Sequence, residues 1–290
     1  MKKPPDVEML GILARGVAMG IAEIVPGISG STIALITGIY DRMINALASF
    51  SAASATMLFR KGWRVFTVHH DIGFLCVLLA GMMLSQLVLA NVIRFLLDTA
   101  PLYVWGFFFG LVAAAVIQIG SRVKPRILAV AGICGLFVGG TFAFLPAQTP
   151  ELWLPLVFAG GMLAVAAWML PGISGSLVLV ILGLYGPMLK ALTSLDLIPL
   201  LTFGLGLVAG LVAFARFIRY LFHQYHDVIL GFLTGLMAGS LMVLWPWRIE
   251  TDLLWPTHYA MGPPWVGVAG MMALGIATVF VLVFASRRVD

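Results

Sequence analysis

The sequence predicts an all-α, polytopic membrane protein made of two inverted-topology repeats, and three observations predict it. Hydrophobic residues make up 61% of the chain and charged residues 10%, with a mean hydropathy of +1.07, values far from those of a soluble domain. The apolar runs have the length of spanning helices rather than the alternation of barrel strands. One six-residue stretch also occurs twice, as Pro26-Gly27-Ile28-Ser29-Gly30-Ser31 and Pro171-Gly172-Ile173-Ser174-Gly175-Ser176, and 171 − 26 = 145 is half of the 290 residues.

Ten apolar segments follow in order: roughly 9–25, 31–48, 72–93, 101–119, 127–145, 152–170, 176–193, 197–215, 227–244 and 264–285. They form two sets of five, so residues 1–150 are expected to be the first inverted repeat and 151–290 the second, together one transmembrane transport domain. The segments beside the two PGISGS stretches are short, and read equally as re-entrant pairs or as full spans. Within each stretch the proline and glycines should end one helix, and the serines can cap the next.

The repeat extends beyond the motif. At an offset of 145, Gly38, Tyr40, Met43, Ala46 and Leu47 meet Gly183, Tyr185, Met188, Ala191 and Leu192. At an offset of 125, Ile93, Arg94, Leu96, Gly106, Phe107, Gly110, Leu111 and Ala113 meet Ile218, Arg219, Leu221, Gly231, Phe232, Gly235, Leu236 and Ala238. The difference, 145 − 125 = 20, places an insertion near residues 49–70, where Arg60, Lys61, Trp63 and Arg64 are expected to form a basic loop.

Basic residues in short loops set the orientation. A cytoplasmic N-terminus puts Arg60, Lys61, Arg64, Arg122, Lys124, Arg126, Arg216, Arg219, Arg287 and Arg288 on that side, and Asp98, Glu151, Asp196, Glu250 and Asp252 on the other. Both termini are therefore expected in the cytoplasm. A repeat crosses five times if its break joins full spans and three times if the break is re-entrant, and either odd number inverts the second repeat; a single span broken in its middle would make the repeats parallel, against the charge pattern. The net charge of +5 reports topology and anionic headgroups rather than nucleic acid. Cys76 and Cys134, far apart and without metal-ligand spacing, read as packing residues. No cleavable signal peptide is evident, since Arg15 and Glu23 interrupt the first apolar stretch.

Backbone broken inside a bilayer is tolerated where protein buries it or where it lines a polar cavity, and a helix start there favours an anion. The candidate substrate-binding residues are accordingly Pro26, Gly27, Ser29, Gly30, Ser31, Thr32, Pro171, Gly172, Ser174, Gly175 and Ser176, with tight helix packing as the competing role for their small side chains. Glu23 lies three residues before Pro26, and Trp168 is its repeat mate. An intramembrane acid costs roughly 2.5–3.5 kcal/mol to insert, so Glu23 is a candidate for binding a coupling proton or cation; pairing with Arg15 or capping a helix is the alternative. Arg94 and Arg219, repeat mates near opposite membrane faces, either receive an anionic headgroup or snorkel to the interface. Asp41 and Arg42 are a possible gate pair or a helix end. His69 and His70, and His223 with His226, offer no convincing metal site, and no metal or cofactor is expected. Trp105, Trp153, Trp245, Trp247, Trp255 and Trp265 read as an aromatic belt.

The run from Gly20 through Glu23 and Pro26 to Thr32, then Gly38-Ile39-Tyr40, together with the second PGISGS stretch, resembles the PopT-like family over essentially the whole chain. The resemblance implies a bacterial inner-membrane transporter that returns undecaprenyl phosphate, or a similar polyprenyl phosphate, from the outer to the inner leaflet for carrier-lipid recycling. Glu23 would be its coupling residue, to protons or sodium. The architecture is also similar to undecaprenyl-pyrophosphate phosphatases, which use paired glutamates and a loop arginine. Here Met19 stands four residues before Glu23, and Gly30 and Gly175 occupy the arginine's position. Little is then left to position a water or stabilise a leaving phosphate. Lipid-phosphate transport leads; the phosphatase and a transporter of small soluble anions are the alternatives.

Overall fold

The computed structural model describes residues 5–25, 28–142, 144–145, 153–249, 252–259 and 265–289. α1 (Pro5–Ile24) leads into the first break, which is followed by α2 (Gly30–Ile36) and α3 (Tyr40–Ser49). Next come α4 (Ala52–Lys61), α5 (Trp63–His69), α6 (Ile72–Thr99), α7 (Pro101–Gly120) and α8 (Pro125–Thr141). α9 (Leu154–Met169) reaches the second break, followed by α10 (Gly175–Ile181), α11 (Tyr185–Ser194), α12 (Leu197–Ser240), a small hairpin of β1 (Arg248–Ile249) and β2 (Asp252–Leu253), and α13 (Trp265–Val289). α6, α7, α12 and α13 are long and apolar enough to cross a membrane, and α10 with α11, bent by 105°, is either a fifth, broken span or a re-entrant loop. The protein is an all-α polytopic membrane protein.

The short helices beside the breaks end in the same way, 145 residues apart. Gly38 (φ 77°) and Gly183 (φ 69°) take the left-handed conformation that only glycine adopts without cost. The next amide then reaches back, Ile39 N–H to the Ala34 carbonyl at 3.0 Å and Leu184 N–H to the Leu179 carbonyl at 2.8 Å, the 6→1 bond of a Schellman cap. At the other offset, Ala100 between α6 and α7 (φ −143°, ψ 49°) matches Tyr225 within α12 (φ −136°, ψ 41°). A helix of 44 residues would be about 66 Å long against a hydrocarbon core of about 30 Å. The backbone break at Tyr225 divides α12 into a part packed on α9 and a part packed on α8.

Packing is also matched. α1 lies along α6, and the first part of α12 along α9. α7 lies along α13, and the second part of α12 along α8. Contacts are close enough that a Cβ on Gly110 would stand 2.0 Å from the Met272 carbonyl oxygen, and one on its repeat mate Gly235 1.9 Å from the Gly132 carbonyl oxygen. Lipid tails are as apolar as leucine, so association in a membrane relies on this close backbone approach.

Three expectations need correction. Residues 49–70 are not a loop but carry α4 and α5. α4 begins where Ser51 N–H donates to Ser54 Oγ at 2.9 Å, holds Arg60 and Lys61 in its last turn and gives way to α5 at Gly62 (φ 82°), an arrangement that suits the helix dipole. The polar stretch between 215 and 227 stays helical except at Tyr225, because its basic residues are tolerated at the membrane surface without leaving the helix. Trp245 and Trp247 do not join a lipid-facing belt. Their rings lie 5.3 Å apart, Trp247 is buried against Leu102 and Val268, and Trp245 Nε1 donates to the Leu254 carbonyl at 2.8 Å. A buried indole N–H needs that partner. Trp153, Trp255 and Trp265 are exposed.

Candidate functional site

Pro26 and Gly27 lie outside the described residues; the rest of the first break is buried. Ser29 caps α2 from an extended conformation (φ −114°, ψ 135°). Its Oγ receives the Ser31 amide at 3.3 Å, sits 2.8 Å from Ser31 Oγ and donates to the Trp168 carbonyl at 3.0 Å. In the second break Gly172 has φ 92°, and Ser174 takes the N-cap position of α10 from the same extended region (φ −96°, ψ 135°) but, unlike Ser29, its side chain makes no capping bond. Ser174 Oγ lies 2.7 Å from Ser176 Oγ. Ser29, Ser31, Thr32 and Ser174 are all buried, whereas Gly175 and Ser176 are partly exposed.

The two breaks touch. Gly172 N–H donates to Thr32 Oγ1 at 3.2 Å, and the buried Tyr40 hydroxyl donates to the Met169 carbonyl at 2.9 Å. With the Ser29 bond to Trp168, three hydrogen bonds join the starts of α2 and α3 to the end of α9 and the break beyond it. Buried backbone amides require partners, so the N–H groups expected to point into the break are partly taken. Thr32 holds that of Gly172, and the carboxylate of Glu23 holds that of Gly30. The side chain of Trp168, its repeat mate, also lies beside the Glu23 carboxylate. A carboxylate of the protein itself therefore stands where the sequence led us to expect a bound anion. Trp168, Tyr40 and the Met169 carbonyl were not expected at the site; the pairing of Trp168 with Glu23 at the repeat offset was the available signal.

Arg42 does not pair with Asp41, because neighbours on a helix point about 100° apart. Its Nε and Nη2 grip Asp71 at 2.6 and 3.2 Å, Nη1 reaches Glu8 at 2.9 Å, and the guanidinium lies 4.4 Å from the Phe74 ring centre. These pairs are about 40% exposed on the arginine side, where such contacts are worth about 1 kcal/mol or less each. Arg42→Ala should accordingly lower stability by no more than about 2 kcal/mol, read from thermal unfolding in detergent. Asp41 instead lines a cavity of about 170 Å³ with Arg219, His223 and His226. Arg94 is exposed on α6. His70 is buried and bonds Ser49 Oγ through Nδ1 at 2.6 Å. Among the described residues no group of three or more His, Cys, Asp or Glu side chains can hold a metal.

With this geometry in view, residues 19–261 match the model of a family described as undecaprenyl phosphate translocase-like. The chain belongs to this family. Within it, the chain is 36% identical over 244 residues to a protein of Vibrio cholerae named polyprenyl-phosphate transporter, covering 82% of this chain and 78% of the relative. It is 30% identical over 266 residues to a Staphylococcus aureus protein of the same name, covering 84% and 88%. No solved structure matches.

Proposed function

We propose that the protein carries undecaprenyl phosphate, or a similar polyprenyl phosphate, from the outer to the inner leaflet of the bacterial cytoplasmic membrane, and that a proton or sodium ion taken up at Glu23 drives the step. The observation that carries this reading is the meeting of the two breaks in buried surroundings, with Glu23 on the Gly30 amide between them. A phosphate headgroup cannot cross hydrocarbon unaided, while a prenyl tail can stay in lipid throughout. Hydroxyls and amides such as those of Ser29, Gly30, Ser31, Ser174, Gly175 and Ser176 suit phosphate oxygens.

In this reading Glu23 and the headgroup compete for one amide. With its charge neutralised by a proton or sodium ion, Glu23 loosens its hold and the phosphate takes its place; release of the ion restores the carboxylate and expels the phosphate. Arg94 and Arg219 would meet the headgroup at the two faces. The two halves, 1–150 and 151–290, would be inverted with both termini cytoplasmic. Supporting this are the similar backbone angles at Ala100 and Tyr225, the paired Schellman caps, and the exchanged packing in which α7 lies on α13 as the second part of α12 lies on α8. A phosphatase is not favoured, since Met19 packs buried against Gly30 where a second acid would be wanted.

The deciding experiment uses proteoliposomes with polyprenyl phosphate in both leaflets and an impermeant reagent for phosphate on one face. The protein should make the protected pool accessible, faster with an imposed proton or sodium gradient. Equal rates in vesicles with and without protein would refute carriage; phosphate released from polyprenyl pyrophosphate would point to the phosphatase.

A further inference from the structure

At the turn of α12 a second polar region stands apart from the breaks. The cavity of about 170 Å³ lined by Asp41, Arg219, His223 and His226 adjoins another of about 190 Å³ that shares Asp41 and His226 and adds Arg122 and Asp227. Asp227 is already engaged, 3.5 Å from His226 Nδ1 and 4.0 Å from Lys124 Nζ. Arg122 and Arg219 have no side-chain hydrogen bond or ion pair with any described residue. Two guanidiniums thus border the two adjoining spaces, Arg219 the first and Arg122 the second, each without a carboxylate partner among the described residues; Asp41, on the wall of both, pairs with neither.

Further along α7 and α12, the two helices that bear Arg122 and Asp227 or lead up to them, lies an apolar groove. Next to Arg122 in the chain, Ser121 lines a groove of about 500 Å³ between α7, α8 and α12; one turn beyond Leu230 of the polar cavity, Thr234 lines the same groove. Its walls are almost wholly apolar, among them Val116, Ile117 and Ile133, and Ile117 and Ile133 are largely exposed, so the groove is open sideways. A space bordered by unpaired guanidiniums, with a laterally open apolar groove one helical turn away, matches an amphiphile with one compact anionic head and a long hydrocarbon tail.

We propose that these neighbouring cavities together are a binding station for polyprenyl phosphate, with the phosphomonoester between Arg122 and Arg219 and the proximal isoprene units in the groove of α7, α8 and α12. The station rests on the reading of the protein as a polyprenyl-phosphate carrier, and adds to it a subsite outside the PGISGS breaks. Tyr40 connects the two regions: its ring lines the polar cavity while its hydroxyl bonds the second break at Met169. His223 and His226 lie where a phosphate oxygen can accept from a ring N–H.

The test measures farnesyl phosphate binding to the full protein in phosphatidylcholine nanodiscs. The Arg122→Gln/Arg219→Gln double variant should weaken it by about tenfold or more, the equivalent of one charge-assisted hydrogen bond, and the Arg122→Lys/Arg219→Lys variant should recover part of the loss. Val116→Trp, which fills the groove, should weaken farnesyl phosphate while leaving competition by inorganic phosphate unchanged. A photoreactive farnesyl phosphate should label wild-type segments 116–136 and 228–238, a readout independent of whether any variant folds. Unchanged affinity in the folded Gln and Trp variants, labelling confined to other segments, or displacement by an equal mole fraction of phosphatidylglycerol would each overturn the station. Leaflet transport that persists alongside unchanged affinity removes the station and leaves carriage standing. Wild-type vesicles that move no polyprenyl phosphate remove carriage itself.

Discussion

Gly235→Ala should leave little folded protein, with a loss of about 3 kcal/mol or more, at the upper end of what overpacking costs. The new methyl carbon would stand 1.9 Å from the Gly132 carbonyl oxygen and 2.6 Å from its carbonyl carbon, both backbone atoms that no rotamer change can move. To make room, α8 and α12 would have to separate along their whole contact, and the companion approaches at Gly135, Gly139 and Gly239 would go with it. Gly110→Ala should fail similarly, against Met272 on α13. Gly204→Ala and Gly270→Ala, on α12 and α13 with nothing within 4 Å of the added carbon, are the matched controls and should be silent. Fluorescence-detected size exclusion and thermal unfolding in detergent read the result. A monodisperse Gly235→Ala protein with wild-type melting would show that the α8–α12 approach contributes nothing.

Glu23→Gln should abolish driven translocation in the leaflet assay while protein abundance and melting stay near normal. Glutamine keeps an oxygen that can accept the Gly30 amide, so the cap on α2 survives. What it loses is the negative charge and the capacity to take up an ion, so its hold on the amide stays at one weak level and ion uptake and release can no longer admit and expel the phosphate. Glu23→Ala differs in kind, since it strips the Gly30 N–H of its partner and should cost about 1–3 kcal/mol of stability besides. The contrast separates coupling from capping. Full transport by a well-folded Glu23→Gln protein would remove Glu23 from the mechanism.

Much of this was legible in the sequence because the signals were covalent or compositional. Prolines and glycines in an apolar run mark broken helices, and a fixed offset marks equivalent positions, as Gly38 and Gly183 or Ala100 and Tyr225 turn out to be in their backbone angles. The helices over 49–70 were not legible, because Arg60, Lys61 and Arg64 read as a solvated loop when the Ser51–Ser54 cap and the Gly62 turn go unweighed. Partners distant in sequence were also beyond reach. Nothing around Arg42 announces Asp71 and Glu8, and nothing near residue 245 announces Leu254. The acid at position 23 was recognised from the cost of burying it, but its seat on the Gly30 amide depends on how the chain folds back by seven residues.

The close embraces of α7 with α13 and of α8 with the latter part of α12 also govern the order of assembly. Both earlier helices leave the ribosome long before the segments they fit against exist, so each must wait in the bilayer with its small-residue face unclaimed. Insertion can proceed span by span, but tight docking of this part of the bundle is deferred until synthesis is nearly complete. A chain stopped short of α12 would present those faces to whatever the membrane offers, which makes truncated products natural clients for quality control.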